Sequence, residues 1–262
     1  MSSELYADTI RIVYHKDYES NYTTASCETP SRVQAIIEHL DEKFPIIQAD
    51  ECKEEDLLLC HSSGLITIEK QMPDRFHTAC RAVGGAITAA YLTFEGYIPF
   101  AAIRPPGHHA NPDHNWGFCF FNNMSIAIMK LLDEKKINSA TILDIDLHFG
   151  DGTESIFKSH KNVNVLNIQS SNPADFIKST ESSLSSVKDT DIIGISAGFD
   201  QYEKDWGANL STDDYRKIGQ LAGDFARDRC QGRIFTILEG GYYVPDLGKN
   251  VESLLMGIMQ GR

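Results

Sequence analysis

The chain has 262 residues, of which 42% are hydrophobic and 23% charged, and its formal net charge is −13. That length suits one large α/β domain or two small ones, and that composition buries an ordinary core. The acidic balance argues against nonspecific phosphate binding, which needs a basic face, and favours approach of a cationic substrate; no apolar run nears the roughly 18 residues of a membrane helix.

In chain order, apolar runs predict a strand at Ile10–Tyr14, then a helix opened by Thr29-Pro30 with Val33, Ile36, Ile37 and Leu40 on one face. A second strand is expected at Asp56–Cys60. A helix carrying Ala79, Val83, Ile87, Ala90, Tyr91 and Phe94 follows, then a strand at Phe100–Ile103 and a helix at Met124–Leu132. Further strands are expected at Ala140–Ile145, Val163–Ile168, Asp191–Ala197 and Arg233–Leu238. Between the last two, Ser211-x-x-Asp214 signals the start of a helix over Tyr215–Phe225, and a final helix spans about Leu247–Met259. Most of these strands are continuously apolar, as strands buried on both faces are. Alternating strands and helices imply an α/β fold with a three-layer, mostly parallel central sheet.

Residues Met1–Asp8 are polar and acidic, without the apolar segment of a secretory signal, so a cytoplasmic location is expected, or a nuclear one in a cell with a nucleus. The six cysteines are scattered with no Cys-x-x-Cys pair, and read as reduced thiols rather than a disulfide frame or a zinc ribbon. No nucleic-acid or membrane partner is expected, and an oligomer is left open.

Polar clusters fall just beyond the expected strands, where open parallel sheets bind ligands. His108 and His109 end the run Arg104-Pro105-Pro106-Gly107. Asp144-Ile145-Asp146-Leu147-His148 closes one strand, Asp200 follows another, and Gly240-Gly241-Tyr242 follows the last. Asp146 and His148, at i and i+2 on a strand end, point the same way, and with Asp200 make a three-ligand set suited to zinc or another borderline divalent ion. The competing reading is a set of capping aspartates around a buried histidine. A metal-acidified water needs a base, which the histidine pair offers. Asp144 and Asp151 are spare carboxylates that could orient the two imidazoles, and Tyr242 could donate to a developing oxyanion. Gly194-Ile195-Ser196-Ala197-Gly198 matches a serine-hydrolase elbow, but that chain order needs a histidine after the serine, and none follows His160.

Five segments then carry a resemblance: Arg104–Ala110, Gly117-Phe118-Cys119-Phe120-Phe121-Asn122-Asn123, Asp144–Thr153, Ala197-Gly198-Phe199-Asp200 and Leu238-Glu239-Gly240-Gly241-Tyr242. In this order they resemble the zinc-dependent histone deacetylase family, which includes acetylpolyamine amidohydrolases and acetoin-utilisation proteins and shares its fold with arginases. The resemblance runs from about His15 onward and implies one catalytic domain over residues 1–262. It implies Asp146, His148 and Asp200 as zinc ligands, and His109 as general base with Asp151 behind it. His108 becomes its electrostatic partner, backed by Asp144, and Tyr242 the group that polarises the acyl carbonyl. Phe118 becomes an aromatic wall of the substrate channel, beside Trp116, Gly117 and Gly240. It also implies potassium near Asp144, Asp146, His148, Asn167 and Ile168. The extra carboxylates of a two-manganese arginase are missing, since Gly150 and Tyr202 stand in their places.

The chain also departs from the family's usual pattern. Phe149 and Asn123 replace the family's usual histidine and aspartate without touching a metal ligand or a proton-transfer group. The segment Ser170–Lys188 is short and serine-rich, with Phe176 its only aromatic, and Asn21–Pro30 lacks the usual Gly-His-Pro run, so a more open acyl channel is expected. Gly207 is assigned the gatekeeper position, where polyamine-selective members hold a glutamate; Glu203 and Asp205 lie nearby. The expected substrate is an acyl-lysine peptide or protein, ahead of an acetylpolyamine or other acylated small amine. A third reading is an acyl-lysine-binding protein that keeps the zinc site but barely turns over.

Overall fold

The computed structural model describes residues 9–262, so the acidic segment Met1–Asp8 lies outside the described residues. Seven strands form one sheet in the order β2-β1-β3-β7-β6-β4-β5, and every pairing is parallel. They are β1 (Ile10–Tyr14), β2 (Ile46–Gln48), β3 (Ile98–Ala101), β4 (Ala140–Asp144), β5 (Val163–Asn167), β6 (Ile193–Ala197) and β7 (Ile234–Leu238). Strands β3, β4, β6 and β7 are buried at every residue, which explains their unbroken apolar runs: helices cover both faces, so alternation has nothing to select. Helices on both faces of a wholly parallel sheet make the three-layer α/β fold expected.

Six longer helices flank the sheet: α1 (Ser31–Leu40), α4 (Pro73–Leu92), α5 (Asn123–Asp133), α7 (Pro173–Ser186), α8 (Thr212–Arg229) and α9 (Val244–Gly261). Three short ones are α2 (Glu54–Leu57), α3 (Ser63–Glu69) and α6 (Asp151–Phe157). The start of α8 matches its signal, with Ser211 and Asp214 capping each other's backbone N–H groups. Helices α8 and α9 touch backbone to backbone. A Cβ added at Gly257 would fall 2.0 Å from the Arg216 carbonyl oxygen, and one at Gly223 2.2 Å from that of Ile258. Among the described residues no helix is long and apolar enough to cross a membrane.

Four local expectations differ. The run Asp56–Cys60 is not a strand: α2 occupies 54–57, Asp56 accepts the Lys53 N–H at 2.9 Å, and Leu57 is buried while Leu58 is half exposed. A five-residue apolar run fits a helical turn and a strand equally well. Strand β2 gave no signal because it is a three-residue edge strand with exposed ends. Helix α1 begins at Ser31, after Pro30, without a side-chain cap, since the Thr29 hydroxyl bonds the Ser31 hydroxyl instead. Within Ser170–Lys188 lies a helix rather than a loop; Asn172 caps it by accepting from the Ala174 and Asp175 N–H groups, and Phe176 is buried beneath it.

Candidate active site

Every sequence-predicted polar cluster lies beyond the carboxyl end of a strand near the middle of the sheet. The loop after β3 carries His108 and His109, and the segment after β4 carries Asp146, His148 and Asp151. Asp200 follows β6 and Tyr242 follows β7. Asp146 and His148 are not on a strand end, because β4 stops at Asp144. Their convergence comes from the bend after it, where the Asp146 carboxylate accepts the His148 N–H at 2.9 Å.

Asp146, His148 and Asp200 bring one ligand atom each within 4.8 Å of one another. His148 Nδ1 lies 3.1 Å from Asp146 Oδ1 and 3.0 Å from Asp200 Oδ2. The remaining carboxylate oxygens are fixed by backbone: Asp146 Oδ2 accepts the Gly240 N–H at 2.8 Å, and Asp200 Oδ1 that of Leu147 at 3.0 Å. Asp200 Oδ2 is buried and accepts no well-aligned hydrogen bond, although His148 Nδ1 approaches it to 3.0 Å. A buried carboxylate oxygen so poorly satisfied is costly unless a cation completes it. Space is reserved around the carboxylates too, since a Cβ at Gly198 or Gly240 would fall 2.2 or 2.6 Å from Asp146 Oδ2. Two carboxylates and an imidazole so arranged fit a divalent metal ion.

The histidine pair is buried, its rings 4.1 Å apart, and each imidazole has its own carboxylate. His108 Nδ1 lies 3.0 Å from Asp144 Oδ2, and His109 Nδ1 2.6 Å from Asp151 Oδ1. The two environments differ. Burial works against charge on His108, but the Asp146 and Asp144 carboxylates around it hold its pKa well above the ordinary value. Burial, joined by repulsion from His108, pushes His109 down to about 4. Burial favours the neutral acid at Asp146, yet charge on His108 and hydrogen bonds from His148 keep that carboxyl well below the usual range. Burial, then the charge of Asp146, pushes Asp200 up to about 7.

The loop holding the pair is tied down by Glu239, which the sequence reading passed over although it stands inside a quoted motif. Its fully buried carboxylate accepts the N–H groups of Gly107 (2.7 Å) and His108 (3.2 Å). Gly150 is obligatory for the neighbouring geometry, because a Cβ there would fall 2.4 Å from Asp144 Oδ2. A carboxylate at that position, as a second metal would need, has no room. The β4–β5 register sets Asp144 opposite Asn167, and the Asn167 side chain accepts the Gly150 N–H at 2.9 Å.

A cavity of about 130 Å³ reaches these groups; His109, His148, Tyr242, Phe118, Trp116 and Trp206 are among its lining. Gly117 also lines it, and with Phe118 takes positive φ (60° and 67°), a kink at the cavity wall. Phe118 meets the Tyr242 ring edge-on at 6.1 Å. Gly241, at φ 122°, turns the chain so that Tyr242 faces the cavity, and the Asp205 carboxylate accepts the Tyr242 and Tyr243 N–H groups at 2.5 and 2.6 Å. Trp206 stacks on the Tyr242 ring at 4.2 Å and stands edge-on to His148 at 6.0 Å.

Gly207, assigned the gatekeeper position, is not among the cavity's lining residues, whereas Trp206 is. Gly207 sits in a closed turn, its N–H donating to the Asp200 carbonyl at 2.7 Å, with the Gln201 Cα only 2.8 Å from where a Cβ would be. Its neighbour Trp206 borders the channel that the short Ser170–Lys188 segment was expected to open, and Phe176 takes no part in the lining.

The chain is similar in sequence and in fold to known proteins. The model of the histone deacetylase domain matches residues 26–176 and 169–258. A "Probable deacetylase" of Archaeoglobus fulgidus is 28% identical, over 89% of this chain and 81% of its own length. An acetylpolyamine amidohydrolase of Mycoplana ramosa is 28% identical, over 71% of this chain and 64% of its own. A second "Probable deacetylase", of Methanothermobacter thermautotrophicus, is 30% identical over 60% of this chain and 53% of its own length, so the match spans about half of that relative. The crystal structure of the HDA15 HD domain superposes with a TM-score of 0.83 at 22% identity, covering 96% of this chain and 88% of that one, a likeness of fold. The chain belongs to the histone deacetylase family, whose members include protein and polyamine deacetylases, and the family supports a hydrolase.

Proposed function

We propose that residues 1–262 form one zinc-dependent catalytic domain that removes acyl groups from the ε-amino group of lysine in proteins or peptides. The observation that carries this is the convergence of three elements on one 130 Å³ cavity: His148 of the Asp146–His148–Asp200 group, the carboxylate-backed histidine pair, and Tyr242. Asp146, His148 and Asp200 would hold the ion, which when bound supplies an acidified water and a Lewis acid for the amide carbonyl. His109, neutral at rest and oriented by Asp151, takes the proton of the attacking water through Nε2 and returns it to the departing amine. His108, kept charged between Asp144 and Asp146, balances the carboxylates beside the reacting centre. The Tyr242 hydroxyl donates to the developing oxyanion. Phe118, Trp116 and Trp206 flank the acyl-lysine stem, and the Gly117 and Gly240 backbone leaves it room. Asp144, Asp146, His148, Asn167 and Ile168 are the residues that would hold a potassium ion, which would supply a fixed positive charge near the site.

The polyamine reading fares less well here, because Asp205, a carboxylate beside the position assigned to the gatekeeper, is already committed to the Tyr242 and Tyr243 backbone N–H groups. A pure binder would need no pair of imidazoles tuned in opposite directions. The test is a zinc-loaded enzyme on acetyl-, butyryl- and octanoyl-lysine peptides and on acetylated putrescine and spermidine. Peptide turnover that Tyr242→Phe cuts by about 10²–10³ is expected. Turnover confined to the polyamines, or zinc binding without turnover, overturns it.

A further inference from the structure

Trp116 is one of only two tryptophans in the chain and is half exposed, at 52%. Burial of apolar surface therefore does not explain its fixed place. Its ring lies over His109, with centroids 3.9 Å apart and planes 31° from parallel. Its indole Nε1–H donates to Asp151 Oδ2 at 3.1 Å, while Asp151 Oδ1 holds His109 Nδ1 at 2.6 Å. One side chain thus grips both members of the base pair. The next residue, Gly117, brings the backbone against the same imidazole: a Cβ there would fall 2.4 Å from His109 Cδ2. The Asp151 side chain is 36% exposed, against 4% for the His109 ring it orients. Its other side-chain donor is Asn111 Nδ2, at 2.8 Å on the same Oδ2. Without the indole, solvent would reach a carboxylate that must keep one orientation to fix the His109 tautomer.

We infer that Trp116 is a positioning residue for the base, acting through Asp151 and by stacking on His109, rather than only a wall of the substrate channel. The inference rests on His109 being the base, as proposed above. A wall residue changes KM, or changes acetyl and butyryl substrates unequally, whereas a positioning residue lowers kcat for every substrate alike. Groups that orient a base or ligand from behind typically carry a factor of about 10–100.

The experiment uses the zinc-loaded enzyme, acetyl- and butyryl-lysine peptides, and the variants Trp116→Phe, Trp116→Leu and His109→Ala, with melting temperature as a fold check. Trp116→Phe keeps the stack and loses the N–H, and is expected to lower kcat about tenfold with KM within twofold. Trp116→Leu loses both contacts and is expected to lower kcat about 100-fold, equally on both peptides, with the melting temperature unchanged. A wild-type kcat in Trp116→Phe together with a raised KM, or unequal losses on the two peptides, overturns the inference. Retained turnover in His109→Ala instead overturns the reading beneath it.

Discussion

His61 offers a test of the structure that is independent of catalysis. It is buried beside the Phe121 ring, and both its ring nitrogens are used. Nε2 accepts the Asn122 N–H at 2.9 Å, which leaves Nδ1–H to donate to the Asn111 carbonyl at 2.9 Å. The neutral ring therefore ties together the two ends of the segment bearing Trp116, Gly117 and Phe118. A proton on Nε2 would break one of those bonds, and burial pushes the pKa down from an ordinary 6.5 to about 4. Because the folded value is the lower one, the unfolded chain binds the extra proton first. The stabilisation is complete above pH 6.5 and is lost as pH falls toward 4. At pH 5 linkage puts the loss at about 2 kcal/mol, and below pH 4 at about 3 kcal/mol. Urea unfolding followed by circular dichroism at pH 7 and pH 5 measures it, for the wild type and for His61→Gln. Other titrating groups are common to both proteins and cancel in the difference of differences. The wild type should lose about 2 kcal/mol more than the variant on acidification. Equal losses would refute both the buried neutral ring and the sign of its shift.

Gly257→Ala forces a methyl into the 2.0 Å contact with the Arg216 carbonyl, so the α8–α9 interface must part, at a cost of about 1–3 kcal/mol or more. An unchanged melting temperature would mean that the helices are not so closely packed. Dialysis against a chelator should abolish turnover and lower the melting temperature, with one equivalent of divalent ion per chain restoring both. A stoichiometry of two by elemental analysis would contradict the lack of room at Gly150. Trp206→Ala should raise octanoyl over acetyl selectivity in kcat/KM by about tenfold or more, as expected for space opened in an apolar pocket. An unchanged ratio would remove Trp206 from the channel wall.

The central sheet was legible because its middle strands are buried on both faces and so read as plain apolar runs. The polar clusters were legible because, in a parallel sheet, such runs end where ligands bind. What sequence could not supply were effects of chain path. Asp56–Cys60 was misread because a run that short carries no period. Trp206 rather than Gly207 borders the cavity only because a turn closed by the Gly207 N–H on the Asp200 carbonyl aims it there. Glu239 was passed over because its partners are backbone amides of the β3 loop, 131 and 132 positions away, which no side-chain pattern announces.

The place of β7 has a consequence for how the molecule is made. It is the last described strand along the chain, yet it lies between β3 and β6 and joins β2-β1-β3 to β6-β4-β5. Until residues 234–238 leave the ribosome, the nascent chain can hold at most two half-sheets, each with a bare edge facing the gap. At typical synthesis rates of about 5–20 residues per second, those edges stay open for seconds after β6 is complete. During that interval the histidine loop on one half and the acidic cluster on the other have no fixed relation. Edge-to-edge pairing with a neighbouring chain is then the main hazard, and a chaperone that covers sheet edges the main protection. The histidine loop and the acidic cluster can take up their mutual geometry only once β7 has paired with both halves.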